Sequence, residues 1–262
     1  MPSPGATGRV LARLRSWLPA LVVFLFVLGL WQGLTTAFHV STFLLPKPTE
    51  IVSSLWDNKG ALWHDGVYTF EEALGGFALG SSLGILTALV LARWRGVGAA
   101  LLPLAVAVNA VPIIAFSPIT NQWFGLLNPF SKMAIAAVLC FFPVMVNTLR
   151  GLTSVHPSSI ELMRSYAAGQ VATFRWVRIP NSLPFLFTGL KVATVLSMIG
   201  AVVGEYFGGP TNALGVSILN DSQLFDYPRA WAGIALASAF GIVFYSLVTL
   251  AEHLATGWRR SG

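Results

Sequence analysis

The chain has 262 residues, of which 55% are apolar and only 10% are charged, and its mean hydropathy is +0.71. A soluble domain of this size carries about a quarter charged residues, so the composition excludes an ordinary soluble protein. The net charge is +6, but the basic residues are spread over separate loops, which argues against a nucleic-acid-binding surface. A single cysteine, Cys140, excludes an intramolecular disulfide and a cysteine-based metal cluster; we expect no metal site.

Charge-poor apolar runs predict about six transmembrane helices, because a helix needs ~20 apolar residues to cross the hydrocarbon. The chain is therefore predicted to be an all-α polytopic membrane protein, with residues 1–17 as a cytoplasmic segment and 18–262 as one transmembrane domain. The first run is longer than the apolar core of a signal peptide, which has ~7–15 residues. We therefore expect it to stay in the protein as the first membrane span and not to be cleaved off. The runs are Leu18–Phe38, Ala73–Ala92, Gly96–Ser131, Met133–Leu149, Phe185–Gly204 and Ala230–Ala251.

The distribution of Lys and Arg predicts the orientation. These residues are enriched in cytoplasmic loops, and placing the N-terminus inside gives eleven of them to cytoplasmic segments and four to external ones. We therefore expect a multi-pass protein of the bacterial plasma (inner) membrane with both termini in the cytoplasm. The four external residues are Lys47, Lys59, Lys132 and Arg229.

The external half of the chain has two features of interest. The stretch "PTEIVSSLW" predicts a short helix with one apolar face, which is typical of a segment lying at the membrane interface. That face consists of Ile51, Val52, Leu55 and Trp56. Two acids, Glu72 and Glu205, lie near the external ends of the second and fifth runs, where ionisable groups usually face a bundle interior or an aqueous cavity. The alternative for both is a solvated carboxylate at a helix end.

Prolines and amides cluster in the third and fourth runs, within "NAVPIIAFSPITNQWFG" and "FFPVMVN". Proline bends a helix, and freed backbone groups survive in lipid only where protein or a water-filled cavity satisfies them. The pattern predicts helices that line a polar path. The alternative is that each amide joins two helices, worth ~0.6 kcal/mol. The expected path residues are Glu72, Asn109, Asn121, Asn147 and Glu205.

A basic loop, residues 151–184, separates the fourth and fifth runs on the predicted cytoplasmic side and contains "ELMRSYAAGQVATFRWVRIPNSLP". Pro157 and the Ser158-x-x-Glu161 pattern predict a helix start with a capping box. Gly169 is a predicted helix stop, since glycine readily takes the left-handed conformation.

A second short helix is predicted at Val171–Val177, ended by Pro180 and Pro184. About thirty residues cannot bury a core of their own, so this unit must pack under the bundle, on another subunit, or both. We interpret the loop as a docking handle.

This loop resembles the EAA loop of binding-protein-dependent ABC importer permeases. In that family an E-A-A triplet is followed after three residues by glycine and after nine more by a hydrophobic, proline-containing end. Glu161 takes the acidic position, Phe174 the aromatic one, and Ile179-Pro180 the terminal one. The stretch "PIIAFSPI…WFG" carries the same resemblance, which implies a type I importer bundle.

The sequence departs from the family pattern at two places. Ala167 stands where glycine is usual, with Gly169 two residues later, and Leu162-Met163 replace the alanine pair. Alanine is small enough to keep close packing, so the fold is expected to survive. The resemblance implies contact with the ATP-hydrolysing subunit through Ser159, Glu161, Arg164, Ser165, Ala167, Ala168, Gly169, Phe174 and Pro180.

The resemblance also implies the assembly. The sequence has no G-x-x-x-x-G-K-[ST] loop, so the chain is expected to be non-catalytic and to bind no cofactor, with ATP and Mg²⁺ used by the partner. The expected partners are a second permease copy, two ATP-binding subunits, an external substrate-binding protein and membrane lipid, and no nucleic acid.

The chain is similar to permeases of the nitrate, sulfonate and taurine group. The stretches "CFFPVMVNTLRGL" and "GAVVGEYFGG" are most similar to its branch for pyrimidine thiamine precursors and riboflavin-like compounds. The alternative substrates are sulfonate, taurine and nitrate.

Two other protein classes are alternatives. A secondary transporter or channel would need no partner subunit bound to the 151–184 loop. The sequence also has no clear inverted repeat, which argues against a secondary transporter. An intramembrane hydrolase would need a buried nucleophile and base, yet the four histidines lie at predicted span ends or in loops and no G-x-S-x-G occurs.

Overall fold

A computed structural model describes residues 6–93 and 111–257, with side chains from Leu18 onward. Within these ranges every regular element is helical, and five helices are long and apolar enough to cross a membrane. The all-α prediction is confirmed. Of the third predicted run, Gly96–Ser131, residues 111–131 are described, and they form a 3₁₀ turn (Ile113–Phe116), a short helix (Ser117–Phe124) and the start of the helix Pro129–Thr153 instead of one continuous span.

The described α-helices, in chain order, are α1 (Ala6–Ala37), α2 (Pro48–Asp57), α3 (Lys59–Arg93), α4 (Ser117–Phe124), α5 (Pro129–Thr153), α6 (Pro157–Ser165), α7 (Gln170–Thr173), α8 (Ile179–Tyr206), α9 (Leu214–Gln223) and α10 (Tyr227–Ala255). A 3₁₀ turn at Ile113–Phe116 precedes α4, and a π-helical turn at Phe174–Arg178 joins α7 to α8.

The chain forms two compact units. The first contains the described residues up to Lys59 together with Asp221–Ala232. It is built on aromatic contacts, such as the edge-on pair of Trp31 and Trp231 with ring centroids 5.5 Å apart. The short helix predicted from "PTEIVSSLW" is present as α2 and lies in this unit; its place at the membrane interface remains a prediction.

The second unit contains Gly60–Asn220 and the described residues from Gly233 onward. Its centre is α3 packed on α5, with three glycines of α3 spaced four apart along the contact: Gly76, Gly80 and Gly84. A Cβ added at Gly80 would come within 2.2 Å of the Ala137 carbonyl oxygen. Small residues at this spacing let two membrane helices approach closely.

Helix α8 packs antiparallel to α5, and each of the two helices contributes a glycine to the contact. Gly200 lies against Ala136 near the start of α5, and Gly151 near its end lies against Ser182. The Asn181 side-chain amide donates to the Gly151 carbonyl at 2.8 Å. Helices α3 and α5 therefore end at the same level at which α8 begins.

That end of the second unit has an apolar core of its own, and we call it the basic end because Arg93, Arg150 and Arg178 lie there. The core is formed by Ala88, Leu91, Ala92, Met145, Leu149 and Leu152. Phe174 of the π turn packs against it, so the loop that follows α5 is anchored to both long helices.

Two expectations about helix ends are wrong. Helix α3 begins at Lys59 rather than at Ala73, so Glu72 lies within the helix and not at its N-terminal end. Pro180 and Pro184 do not break the chain either, since helical structure is continuous from Gln170 to Tyr206. The predicted helix Val171–Val177 is indeed helical, but its second half belongs to the π turn Phe174–Arg178, and the helix runs on through Pro180 into α8.

Candidate functional site

A buried polar cluster joins α3, α8 and α9 in the second unit. Glu205, near the end of α8, is 1% exposed. One of its carboxylate oxygens accepts from the Thr69 hydroxyl at 2.7 Å, and the other accepts from the Gly215 amide at 2.6 Å. The Thr69 oxygen in turn accepts from the Leu214 amide at 2.8 Å. Glu205 and Thr69 together satisfy the first two amides of α9, where negative charge is favourable.

Lys132 supplies the positive charge of this cluster. It lies in the first turn of α5, which begins at Pro129 after the Asn128 cap, and its side chain is fully buried. Its ammonium donates to the Asn121 side-chain oxygen at 3.2 Å and to the Leu126 carbonyl. It also interacts electrostatically with Glu72 and Glu205. Lys132 therefore belongs to the start of a membrane-spanning helix and not to the segment before it; the side of the membrane on which it lies remains a prediction.

Glu72 is the third ionisable member and is 1% exposed. It interacts electrostatically with Glu205, Lys132 and Tyr68. Among the described residues, neither of its carboxyl oxygens makes a hydrogen bond of ordinary length and angle. We call Glu72, Lys132, Glu205, Thr69 and Asn121 the polar cluster.

The structure brings together three of the five expected path residues. Glu72, Asn121 and Glu205 meet around Lys132. Asn147 does not join them, because its amide donates to the Pro143 carbonyl within α5 at 2.8 Å. Asn109 lies outside the described residues. Whether these side chains line a path remains a prediction.

Sequence reasoning missed Lys132 and Thr69. The burial of Lys132 had one indication in the sequence: the residue lies four positions after Asn128, a helix-capping residue, at the start of an apolar run. Nothing in the local sequence identified Thr69. Within the described ranges no group of three or more His, Cys, Asp or Glu residues is placed to hold a metal ion.

The second candidate site is the loop at the basic end. Its helix α6 begins at Pro157, and the cap is His156, whose ring nitrogen lies 2.7 Å from the Ser158 hydroxyl. The predicted capping box on Ser158 is therefore wrong. The fixed φ of Pro157 suits the first helical position.

Helix α6 ends in a Schellman motif whose left-handed residue is Ala167, with φ +52°. The Ala168 amide donates to the Met163 carbonyl and the Ala167 amide to the Arg164 carbonyl, both at 2.9 Å, which is the defining pair of bonds. Gly169 has φ −68° and is the N-cap of α7. The prediction that it ends a helix in the left-handed conformation is therefore wrong.

The loop separates its side chains into an outer and an inner set. Leu162 and Tyr166, four residues apart at the end of α6, are 57% and 77% exposed. Of the residues carried over from the family pattern, Glu161, Arg164, Ser165, Ala167 and Gly169 are exposed, and Ser159, Ala168, Phe174 and Pro180 are half-buried.

Comparison with known proteins is consistent with this geometry. Residues 80–256 match the family described as "Binding-protein-dependent transport system inner membrane component". That match covers most of the second unit, including α5, α8 and the loop between them.

Relatives match over nearly the whole chain. The chain is 32% identical over 266 residues to a riboflavin transport system permease protein of Chloroflexus aurantiacus, covering 100% of the chain and 98% of the relative. It is 33% identical over 238 residues to a formylaminopyrimidine transport permease protein of Halalkalibacterium halodurans, covering 90% and 94%. Among solved structures, a chain of an amino acid ABC transporter with histidines matches with a TM-score of 0.61 at 16% identity, covering 76% of this chain and 96% of that one.

Proposed function

Because the chain belongs to the family of binding-protein-dependent transport system inner membrane components, we propose that it forms a substrate translocation path and couples it to ATP hydrolysis on a separate subunit. The chain is a multi-pass permease component of an ABC transport system.

The observation that carries the proposal is the construction of the loop at the basic end. Its outer side presents Leu162 and Tyr166 to solvent, while Phe174 packs on the core formed by α3 and α5. A partner that moved the outer residues would therefore move two membrane-spanning helices with them. The loop acts as a rigid lever because the Ala167 turn is closed by two backbone hydrogen bonds.

The assembly follows from this role. Two copies of the chain pair in the membrane, with both termini in the cytoplasm, and two ATP-binding subunits hold the two levers. An external substrate-binding protein delivers the solute. ATP and Mg²⁺ bind to the partner subunits and this chain binds neither. ATP-driven closure shifts the bundles between outward and inward openings, as two states of one interface.

The proposed substrate is a small heteroaromatic nutrient with a pyrimidine ring. This is supported by the two relatives above, whose names specify riboflavin and formylaminopyrimidine, since both compounds contain that ring. Uptake by proteoliposomes holding the complete complex tests it, with each labelled compound in turn and taurine as the alternative. Uptake of taurine alone would contradict the heteroaromatic assignment and leave the importer assignment intact.

The lever is tested by replacing its exposed apolar residues. We expect Leu162→Ser with Tyr166→Ser to abolish co-purification of the ATP-binding subunit and substrate-stimulated ATP hydrolysis. The matched control is Leu254→Ser near the end of α10, where the side chain is 79% exposed but outside the loop. Normal association and normal coupled hydrolysis in the double variant would contradict the lever. Glu161→Lys, which inverts an exposed charge on the same helix, is a second test of the contact.

A further inference from the structure

A cavity of about 740 Å³ lies at the basic end of the second unit, between the end of α3 and the inner side of the loop. Its walls come from α3, from α6 with α7, and from the π turn that enters α8. This volume is within the ~300–1,000 Å³ of ordinary small-molecule sites. Three of the residues that line it, Arg164, Ala168 and Phe174, are also among the partner contacts that the family resemblance implies, whereas Leu162 and Tyr166, the exposed residues of the lever, do not line it.

Three arginines from three different elements line the cavity. Arg93 is the last residue of α3, Arg164 belongs to α6, and Arg178 ends the π turn. Arg178 interacts with another group of the chain. Arg93 and Arg164 form neither an ion pair nor a side-chain hydrogen bond with any described residue.

The chain itself offers little to neutralise these guanidinium groups. No acid lines the cavity, and the only acid in the sequence between residues 73 and 204 is Glu161. Its side chain is exposed and does not line the cavity. Arg93 and Arg164, which form no ion pair with a described residue, are suited to bind a phosphate or carboxylate.

The rest of the lining is apolar and follows a regular pattern. Each arginine is preceded by an apolar lining residue four positions earlier: Leu89 before Arg93, Ile160 before Arg164, and Phe174 before Arg178. Residues four apart share a helix face. The cavity therefore offers both a cationic and an apolar surface. Inorganic phosphate would use only the first of these, whereas a phospholipid would use both.

We infer that this cavity binds the headgroup of an anionic phospholipid, with the phosphate on Arg93 and Arg164 and the start of an acyl chain on the apolar residues. Arg93 ends a membrane-spanning helix, at the level where headgroups lie, and basic pockets of this kind on the cytoplasmic side bind anionic lipids. The inference rests on the proposed function only for the assignment of this end to the cytoplasmic leaflet. A lipid held there would bridge the end of α3 and the lever.

The test uses the purified full-length chain in detergent and measures bound lipid by native mass spectrometry. Phosphatidylglycerol is titrated against phosphatidylcholine, and inorganic phosphate is added as a competitor. The variant is Arg93→Gln with Arg164→Gln. The matched control is Arg150→Gln with Arg175→Gln, which removes the same charge from the same end at exposed residues outside the cavity. The second variant, Arg93→Lys with Arg164→Lys, keeps both charges and so distinguishes a loss of charge from a misfolded protein.

We expect phosphatidylglycerol to bind in preference to phosphatidylcholine, and the glutamine variant to weaken its binding by roughly tenfold or more. The control and the lysine variant should keep the preference. Equal weakening in the control would overturn the site, because the attraction would then be a general surface effect. Displacement of the lipid by millimolar inorganic phosphate would overturn the lipid assignment.

An acidic segment of the ATP-binding subunit is the competing occupant. If the glutamine variant lost that subunit but bound phosphatidylglycerol normally, the cavity would be a protein contact and the inference would be wrong. Lipid binding is measured on the chain alone, so failure of the proposed lever would leave the result unchanged. The two ideas therefore fail separately.

Discussion

The Thr69 hydroxyl of α3 donates to the Glu205 carboxylate of α8 at 2.7 Å, although the two residues are 136 positions apart in the chain. The same hydroxyl oxygen accepts from the Leu214 amide, which starts α9. One buried side chain thus fixes three helices to each other. Replacing it removes a donor and an acceptor together.

We expect Thr69→Val to lower stability by about 1–3 kcal/mol, because one oxygen of the Glu205 carboxylate loses its donor and the Leu214 amide loses its acceptor. Thr69→Ser keeps the hydroxyl and should cost less. The control is Thr87→Val on the exposed side of the same helix, where the hydroxyl bonds only to the Leu83 carbonyl. Thermal unfolding in detergent measures the difference, at ~2–4 °C per kcal/mol. Equal midpoints for Thr69→Val and Thr87→Val would contradict the role of Thr69.

Lys132 is expected to be the most sensitive side chain of the polar cluster. Lys132→Met removes the cation that faces two buried carboxyl groups and the donor that Asn121 accepts from. Removing one partner of a buried ion pair lowers the free energy of unfolding by about 3–5 kcal/mol. Adding Glu72→Gln should recover part of the loss, since it removes one of the two carboxyl groups. A double-mutant cycle should give a coupling of about 0.5–3 kcal/mol. Lys59→Met, at an exposed lysine, is the control for removing a cation.

Strict additivity of Lys132→Met and Glu72→Gln would show that the two side chains do not act on each other. The cluster would then be three separate buried groups. The same cycle between Lys132 and Glu205 tests whether the lysine also acts on the carboxylate that caps α9.

The contact between α3 and α5 predicts a different response at two glycines of one helix. Gly80→Ala places a methyl group 2.2 Å from the Ala137 carbonyl oxygen, so the helices must separate, at a cost of about 1–3 kcal/mol. Gly60→Ala meets nothing within 4 Å and should stabilise α3 by up to ~1 kcal/mol. Thermal midpoints of opposite sign are expected. A neutral Gly80→Ala would mean that the two helices are not held at this distance.

Most of the spans could be predicted from the sequence, but their limits and the polar cluster could not. Apolar length alone identified the membrane helices, since lipid requires it. Helix α3 extends back to Lys59 because its polar residues Asp65, Thr69 and Glu72 are buried against protein. A search for charge-free runs ends at the acids among them and therefore misses this part of the helix. The Ser217 hydroxyl, for instance, donates to Asp65 at 2.6 Å. That partner is 152 positions away, so no local pattern could indicate it.

Pro180 and Lys132 departed from expectation for different reasons. Pro180 was predicted to break the helix, but the π turn at Phe174–Arg178 shifts the hydrogen-bond pattern before it. Lys132 was assigned to the segment between two apolar runs, because its charge ends a charge-free run. Its burial depends on Asn121 and the Leu126 carbonyl, which lie outside its own helix and reach it only in the folded chain.

The turn that closes α6 gives the last prediction. Ala167 has φ +52°, and the left-handed region costs a residue other than glycine about 1–2 kcal/mol. Ala167→Gly removes this cost but makes the unfolded chain more flexible, so we expect a net gain of about 0.5–1 kcal/mol. The exposed side chains of Leu162 and Tyr166 do not change and glycine keeps the turn, so coupled ATP hydrolysis should stay normal. Glycine is also the residue usual at this position in the family pattern.

Ala172→Gly in α7 is the matched control, since the same substitution in a right-handed helix costs ~1 kcal/mol. Hydrogen exchange at the Ala167 and Ala168 amides, which bond to the Arg164 and Met163 carbonyls, reports the turn itself. Exchange should slow in Ala167→Gly and quicken in Ala172→Gly. If Ala167→Gly instead quickened exchange at both amides, the strain would not lie at this turn, and the rigidity of the lever would need another source.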